Sequence, residues 1–285
     1  MRVGVVLLPQ ARWALAREQW QRVEALGFDH AWTYDHLAWR SLADEAWFGT
    51  VPLLAAAAVA TERVRLGTWV ASPNFRHPVT FAKELMTLDD LSDGRFTLGV
   101  GAGGTGFDAT VLGGAVLSPR ERVDRLAEFV GLLDELLREP VTTVHGARYS
   151  AVDARMLPGC LQRPRLPFVV AANGPRAMRV AVAHGAGWAT TGPEGVTGEQ
   201  WWSAVAGLVG RLEDTEVDGR SGTGLERYLN LDSGGVYALS SVEAFRDQVG
   251  RADELGFTDV VVHHPRTEGV YAGRVEVLEA VAAEL

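Results

Sequence analysis

The dipeptide Asp35-His36 follows an apolar segment, Phe28–Tyr34, that is predicted to be a strand. Histidine exchanges a proton near neutral pH, which suits a general acid or base, and a neighbouring aspartate could orient or charge such a site. An α/β barrel places its active site at strand ends of this kind, so His36 is a candidate catalytic residue. Aspartate and histidine are also common in surface loops, so a non-catalytic loop remains the alternative.

Two later turns are suited to binding an anion. The segment Ala171-Ala172-Asn173-Gly174-Pro175-Arg176 ends one predicted strand and opens a helix. The backbone N–H groups at the helix start attract phosphate, and Arg176 adds a positive charge. The next predicted strand is followed by a second turn, which contains Thr191 and Gly192. Phosphate turns on successive loops also occur in unrelated barrels, so this pair predicts phosphate binding without identifying the ligand.

Several other chemistries fit poorly. The run Gly99–Gly104 follows the fourth predicted strand and enters a long loop, whereas a dinucleotide fingerprint follows the first strand and opens a helix. No cluster has metal-ligand spacing, and the adjacent His263 and His264 point to opposite sides of a strand. Lys83 lies within a predicted helix, which argues against a Schiff-base aldolase, and the lone Cys160 is expected to be a packing residue.

These residues need a scaffold, and strand-like and helix-like segments alternate along the chain, which predicts a parallel sheet. The predicted strands are Val3–Leu8, Phe28–Tyr34, Val64–Ala71, Phe96–Gly101, Pro167–Ala172, Gly187–Thr190, Gly235–Ala238 and Asp259–His263. The predicted helices are Ala11–Leu26, Thr50–Thr61, Val79–Leu91, Pro119–Leu137, Arg176–His184, Gly198–Asp214, Val242–Leu255 and Val275–Leu285. Capping patterns at Ser118, Thr197 and Ser241 support three of the helix starts.

Eight strands are enough to close a barrel, so the predicted fold is an α/β (β/α)8 TIM barrel with loop insertions, forming one domain over residues 1–285. The insertions are predicted at Gly103–Leu117 and Glu139–Pro164, and Gly219–Gly224 is expected to be a disordered surface turn. Glycine is expected to end the helices before Phe28, Trp188 and Phe257 in a left-handed cap.

Composition restricts the partners. The formal net charge of −9 argues against nucleic acid, and no apolar run reaches the ~18 residues of a membrane helix. The N-terminus begins with a strand pattern and lacks signal-peptide features, which predicts a cytoplasmic protein. We therefore expect a small-molecule substrate and no membrane partner.

The segments Trp32–His36, Ser72–Pro78 and Gly99–Gly104, taken together, resemble the luciferase-like family of flavin- and coenzyme F420-dependent oxidoreductases. The resemblance implies that His36 contacts the cofactor ring and the substrate as proton donor or acceptor, with Asp35 tuning it. It also implies a cis peptide bond at Trp69–Val70 that supports the back of the ring. The cofactor contacts implied by the resemblance are Val70, Ala71, Ser72, Ala102, Gly103, Asn173, Gly174, Pro175, Arg176, Thr191 and Gly192.

The Trp-x-x-Asp-His pattern and the compact length favour F420 and hydride transfer to or from a small organic substrate. An FMN-dependent monooxygenase and a non-catalytic barrel that binds a phosphorylated ligand are the alternatives. The sugar-phosphate branch of the family has a glutamate where this chain has Gly104, so glucose 6-phosphate is a weaker candidate substrate. Trp39, Asn74 and Phe107 are predicted to line the substrate pocket, and family members are often dimers, so a homodimer is a candidate assembly.

Overall fold

Eight parallel strands close into a barrel in the computed structural model, which describes all residues from 1 to 285. In chain order the strands are β1 (Arg2–Val6), β2 (His30–Thr33), β3 (Arg65–Thr68), β4 (Phe96–Gly101), β5 (Val141–His145), β6 (Ser150–Arg155), β7 (Phe168–Ala171), β8 (Gly187–Thr190), β9 (Glu216–Val217), β10 (Arg220–Ser221), β11 (Glu226–Asn230) and β12 (Asp259–His263). Eight of these strands form the barrel, in the order β1-β12-β11-β8-β7-β4-β3-β2, and the other four form the two-stranded sheets β5–β6 and β9–β10. The (β/α)8 prediction is confirmed.

Helices cover the outside of the barrel. They are α1 (Trp13–Ala25), α2 (Thr50–Ala60), α3 (Pro78–Leu91), α4 (Phe107–Thr110), α5 (Pro119–Arg138), α6 (Pro175–His184), α7 (Gly198–Glu213), α8 (Val242–Glu254) and α9 (Val275–Ala282). Ser118 forms the predicted capping box with Glu121, and Ser241 accepts the N–H of Ala244. Thr197 is the N-cap of α7, which confirms the predicted helix start, but its side chain makes no capping hydrogen bond. None of these helices has both the length and the apolar character needed to span a bilayer.

The apolar core has two layers because successive strand side chains point to opposite faces. A cluster of 62 buried residues lies between the strands and the helices. A second cluster of eight fills the barrel interior and consists of Val6, Trp32, Tyr34, Trp69, Val169, Ala189, Tyr228 and Val261. Gly67 makes room for the Trp32 ring, because a Cβ at that position would lie 2.3 Å from it. Trp32 is accordingly buried inside the barrel.

The sequence prediction of the seventh barrel strand is wrong. The strand is Glu226–Asn230, whereas Gly235–Ala238 forms no strand and Gly235 has a φ of +94°. The true strand starts with charged residues, and Glu226 accepts a hydrogen bond of 2.6 Å from Arg2 at the amino-terminal end of the barrel. This polar start hides the strand from a search for apolar runs.

Three loop predictions also change. Gly219–Gly224 is ordered, because β9 and β10 pair antiparallel and Gly222 is buried against α7. The long segment Glu139–Pro164 contains the β5–β6 hairpin, which Glu128 ties to α5 by accepting the N–H groups of Arg148 and Tyr149. Of the three predicted glycine caps, Gly27 and Gly256 have positive φ, but Gly185 has a φ of −76°.

Candidate active site

A cavity of about 1330 Å³ opens at the carboxyl end of the barrel strands. Residues that follow β2, β7 and β8 form part of its wall, and residues that follow β11 and β12 close it on the other side. His36 and Gly174 both line this cavity, so the proton-transfer candidate and the phosphate-turn candidate share one space. The predicted residues that line it are His36, Trp39, Val70, Ala102, Asn173, Gly174, Arg176, Thr191 and Gly192.

Asp108 is the carboxylate that orients His36. Its Oδ2 lies 2.5 Å from Nδ1 of His36, and its Oδ1 accepts the backbone N–H of Leu37 at 2.7 Å. Asp108 is buried in the short helix α4, whereas the His36 side chain remains partly exposed toward the cavity. Trp47 donates its indole N–H to the carbonyl of His36 at 2.7 Å. Both ends of the His36 residue are therefore held, and Nε2 is the ring nitrogen left for chemistry.

Asp35 does not contact His36, contrary to the sequence prediction. It accepts two hydrogen bonds of 2.7 Å from Arg76 and is buried away from the cavity. Arg76 also donates to Glu84 on α3 at 2.9 Å, and its guanidinium lies 4.2 Å from the centre of the Phe81 ring. Asp35 therefore joins the loop after β2 to α3, and its role is structural support.

Trp69 and Val70 form one wall of the cavity, and the peptide bond between them is cis, as predicted. Ala71 and Ser72 lie behind this wall: both are buried, neither lines the cavity, and Ala71 pairs with Val100 of β4. Gly99 serves strand packing rather than ligand access, because a Cβ there would lie 2.0 Å from the carbonyl of Thr68.

The opposite end of the cavity is polar. Asn173 donates to the carbonyl of Gly192 at 2.9 Å and accepts the hydroxyl of Thr190 at 2.6 Å, which ties the two predicted phosphate turns together. Gly174 is the N-cap of α6, and no side chain caps this helix start. Arg176 lines the cavity but forms an ion pair with Asp124, so its charge is shared.

Besides Asp35, Ala71 and Ser72, four more predicted site residues lie outside the cavity wall. Gly103 has a φ of +76°, and a Cβ there would lie 2.7 Å from Asn74. Asn74 itself bonds Arg125 and the carbonyl of Gly104, so it supports the loop instead of facing the cavity. Pro175 is the first residue of α6, and Phe107 is exposed at the start of α4.

Sequence reasoning missed a second group of polar residues, which lies on the other side of the barrel mouth. Tyr34, Asp232 and Tyr271 line the cavity, and His263 is buried behind them. Burial raises the pKa of the Tyr34 hydroxyl well above its usual value, and burial also raises the pKa of Tyr271. Both phenols therefore keep their protons. His263 ends the last barrel strand, and its hydrogen-bond partners Tyr34 and Asp232 lie 229 and 31 residues away along the chain.

Sequence reasoning also missed the first turns of α5. Arg120 and Arg122 line the cavity near its polar end, although their pattern reads as an ordinary amphipathic helix. One terminal nitrogen of Arg122 donates to the carbonyl of Gly103 at 2.8 Å, but its buried Nε has no partner. This Nε is closed off from the cavity as well, so Arg122 can meet a ligand only through its terminal nitrogens and its positive charge.

Residues 1–207 match the family described as luciferase-like monooxygenases. The chain belongs to this family. The F420-dependent glucose-6-phosphate dehydrogenase of Beutenbergia cavernae is 40% identical over 176 residues, which cover 60% of this chain and 51% of that protein. The 4-hydroxyprotoasukamycin monooxygenase of Streptomyces nodosus subsp. asukaensis is 35% identical over 169 residues, which cover 58% of this chain and 43% of that protein. The chain thus spans about half the length of the curated relatives it matches.

Solved structures show the same fold over nearly the whole chain. An F420-dependent secondary alcohol dehydrogenase in complex with an F420-acetone adduct superposes with a TM-score of 0.81 at 18% identity, covering 99% of this chain and 97% of that one. The coenzyme F420-dependent tetrahydromethanopterin reductase from Methanopyrus kandleri gives a TM-score of 0.75 at 18% identity, covering 100% and 98%. The resemblance inferred from the sequence is confirmed.

Proposed function

We propose that the protein is an oxidoreductase that uses coenzyme F420 to transfer a hydride to or from a small organic substrate. The observation that carries the proposal is the single cavity that joins His36, with its buried partner Asp108, to the paired turns at Asn173 and Gly192. A proton-transfer group and an anion-binding end in one space are what a phosphorylated redox cofactor and its substrate require together.

The residues present fit such a cofactor. The wall at Trp69 and Val70 is apolar, and the lining beside it includes the small side chains of Ala102 and Ala171, which leaves space for a flat ring system. At the polar end the guanidinium group of Arg122, which lines the cavity, and the uncapped start of α6 offer donors to a phosphate. When bound, F420 would supply the hydride chemistry, while these residues hold its ring and phosphate.

His36 would donate or accept a proton at the bound cofactor. Asp108 fixes the ring by bonding Nδ1, so that Nε2 faces the cavity in a constant orientation. The Tyr34 ring contacts His36 edge-on at a centroid distance of 5.7 Å and restricts its rotation further. Asp35 has no part in this chemistry.

F420 is preferred to FMN because several curated relatives and both structures described above are named as F420-dependent. The sugar-phosphate substrate of the relatives is not carried over. Gly104 stands where that branch of the family is expected to have a glutamate, and no side chain at this position can replace its carboxyl group. The substrate class is therefore addressed from the cavity itself below.

Separate titrations with F420 and FMN, followed by absorbance and fluorescence, test the proposal. We expect F420 to bind more tightly than FMN, and Arg122→Gln to weaken F420 binding about 10- to 100-fold, the value of a hydrogen bond to a charged group. Arg155→Gln, which removes an exposed arginine from the β5–β6 hairpin, is the matched control. Equal and weak binding of both cofactors would favour the non-catalytic barrel, and tighter binding of FMN would favour the monooxygenase.

A further inference from the structure

Four side chains form a continuous hydrogen-bonded chain beside the cavity. The hydroxyl of Tyr271 lies 3.1 Å from the hydroxyl of Tyr34, which lies 2.7 Å from Nε2 of His263. Nδ1 of His263 lies 2.7 Å from Oδ2 of Asp232. The four residues come from the loops or strand ends of β2, β11 and β12, so only the closed barrel brings them together.

The direction of these hydrogen bonds follows from the donors available. Asp232 accepts the backbone N–H groups of His263 at 2.7 Å and Ala238 at 2.8 Å, and an ionised carboxylate only accepts. Nδ1 of His263 must therefore carry its proton, and Nε2 accepts the hydroxyl of Tyr34. The oxygen of Tyr34 then accepts the hydroxyl of Tyr271, whose own oxygen keeps a free lone pair at the cavity wall.

Packing fixes this chain in place. The Tyr271 ring stacks on the His263 ring at a centroid distance of 3.6 Å and an interplanar angle of 4°, and Tyr34 meets His263 at 90°. Tyr237 donates its hydroxyl to the carbonyl of His263 at 2.8 Å. Tyr271 has a φ of +61°, a backbone conformation that bulky residues rarely adopt and that is more common at functional sites.

The chain is separate from His36. The Tyr34 ring lies between His36 and His263, at centroid distances of 5.7 Å and 5.5 Å. The His36 side chain is 24% exposed, whereas that of His263 is 0% exposed. His36 can therefore exchange protons with solvent, and the buried His263 can do so only through the side chains that bond its ring, Tyr34 and Asp232. The cavity thus has two proton sites with different access.

We propose that Tyr271, Tyr34, His263 and Asp232 form a proton relay for a substrate hydroxyl or carbonyl oxygen, so that the substrate is an alcohol or its carbonyl product. In the oxidation direction the substrate O–H bond breaks toward the Tyr271 oxygen. Tyr271 passes its proton to Tyr34, and Tyr34 passes its proton to Nε2 of His263. The substrate C–H electron pair leaves as hydride to the cofactor, and a C=O bond forms.

The relay ends as an imidazolium beside the Asp232 carboxylate, and the reverse sequence returns the proton when a carbonyl is reduced. The redox partner rests on the proposed function, whereas the direction of the hydrogen bonds does not. The groups that face His263 are Asp232, Tyr34 and Tyr271, and its backbone carbonyl meets Tyr237. Its surroundings therefore hold one carboxylate and no other charged side chain in direct contact.

The first test needs no cofactor. The chain has seven histidines, and nitrogen NMR of the ¹⁵N-histidine-labelled protein reports the tautomer of each, with His263→Gln identifying the resonance in question. We expect His263 to be protonated on Nδ1, and Tyr34→Phe to shift its Nε2 resonance. Tyr237→Phe is the matched control, because its hydroxyl bonds the backbone of His263 and not the ring. A proton on Nε2, or a resonance that ignores Tyr34→Phe, overturns the relay.

The second test uses the F420-loaded protein and a panel of small alcohols from 2-propanol to cyclohexanol. We expect Tyr271→Phe to lower kcat about 100-fold, a typical contribution of a positioned acid or base, and to leave the dissociation constant of F420 unchanged. Full turnover by Tyr271→Phe overturns the relay, and no turnover of any alcohol with F420 bound overturns the substrate class. Failure of F420 to bind would instead refute the proposed function, and the tautomer experiment would stand.

Discussion

Replacing Asp35 by alanine should lower the free energy of unfolding and leave F420 binding nearly unchanged. The Asp35 side chain is 1% exposed and that of Arg76 is 11% exposed, so removal of the carboxylate leaves a guanidinium buried without its main partner. Breaking a buried pair in this way costs about 3 to 5 kcal/mol. Arg76 keeps its bond to the half-exposed Glu84, which places the loss near the lower end, at about 3 kcal/mol. For a chain of this size that loss lowers Tm by roughly 6 to 12 °C.

Chemical denaturation and thermal scans of Asp35→Ala, Arg76→Met and the double variant Asp35→Leu/Arg76→Met measure this effect. We expect the double variant to recover most of the loss, because a buried ion pair can be replaced by apolar side chains at little cost. F420 binding, measured where Asp35→Ala is still folded, should change less than threefold. If Asp35→Ala has native stability and yet loses cofactor binding or turnover, the assignment of Asp35 to structural support is refuted.

Three further predictions follow from single contacts. Asp108→Asn should lower kcat/KM about 10- to 100-fold in a turnover assay, because the amide cannot hold the same tautomer of His36. Asp44→Asn is the control and should have no effect, because it removes the same charge at an exposed position. Gly103→Ala should cost about 1 to 2 kcal/mol in urea denaturation through its left-handed backbone, and Gly106→Ala, which has open space and negative φ, should be neutral. Burial opposes ionisation of Asp259, but hydrogen bonds from His30 and Arg2 hold the pKa of its carboxyl group below the usual value. The ionised carboxylate therefore stabilises the fold above about pH 4, and this stabilisation is lost as the pH falls further. Asp259→Asn should accordingly reduce the loss of stability at acid pH, as measured by denaturation over a pH series.

The barrel could be predicted from the sequence because most of its strands are short apolar runs between helices with clear periodicity. The structure keeps seven of the eight predicted strands within a few residues of their predicted ends. Glu226–Asn230 was not predicted because its first two residues are charged, and Glu226 meets Arg2 only in the closed barrel. The β5–β6 hairpin escaped because its exposed face interrupts the apolar pattern.

The two turns proposed to bind phosphate could be located from the sequence because a turn of this kind is defined by local residues. A strand end followed by Gly174, Pro175 and a helix start is a local pattern, and the structure places this turn on the cavity. The relay residues could not be located in this way. Tyr34 and His263 are 229 residues apart, and nothing in either neighbourhood indicates that their side chains meet.

The sequence suggested Asp35 as the partner of His36, and the geometry of an extended chain explains why it is not. Successive residues of an extended segment point to opposite sides, so neighbours in sequence are poor candidates for a side-chain pair. In the stretch that leaves β2, Tyr34 and His36 face the cavity, and Asp35 between them faces Arg76. The same alternation that separates Asp35 from His36 brings Tyr34 to its side. Applied to this loop, the alternation predicts that Tyr34 is a site residue and that Asp35 is not the partner of His36. The carboxylate that bonds His36 must then come from another segment, and Asp108 supplies it from 72 residues away.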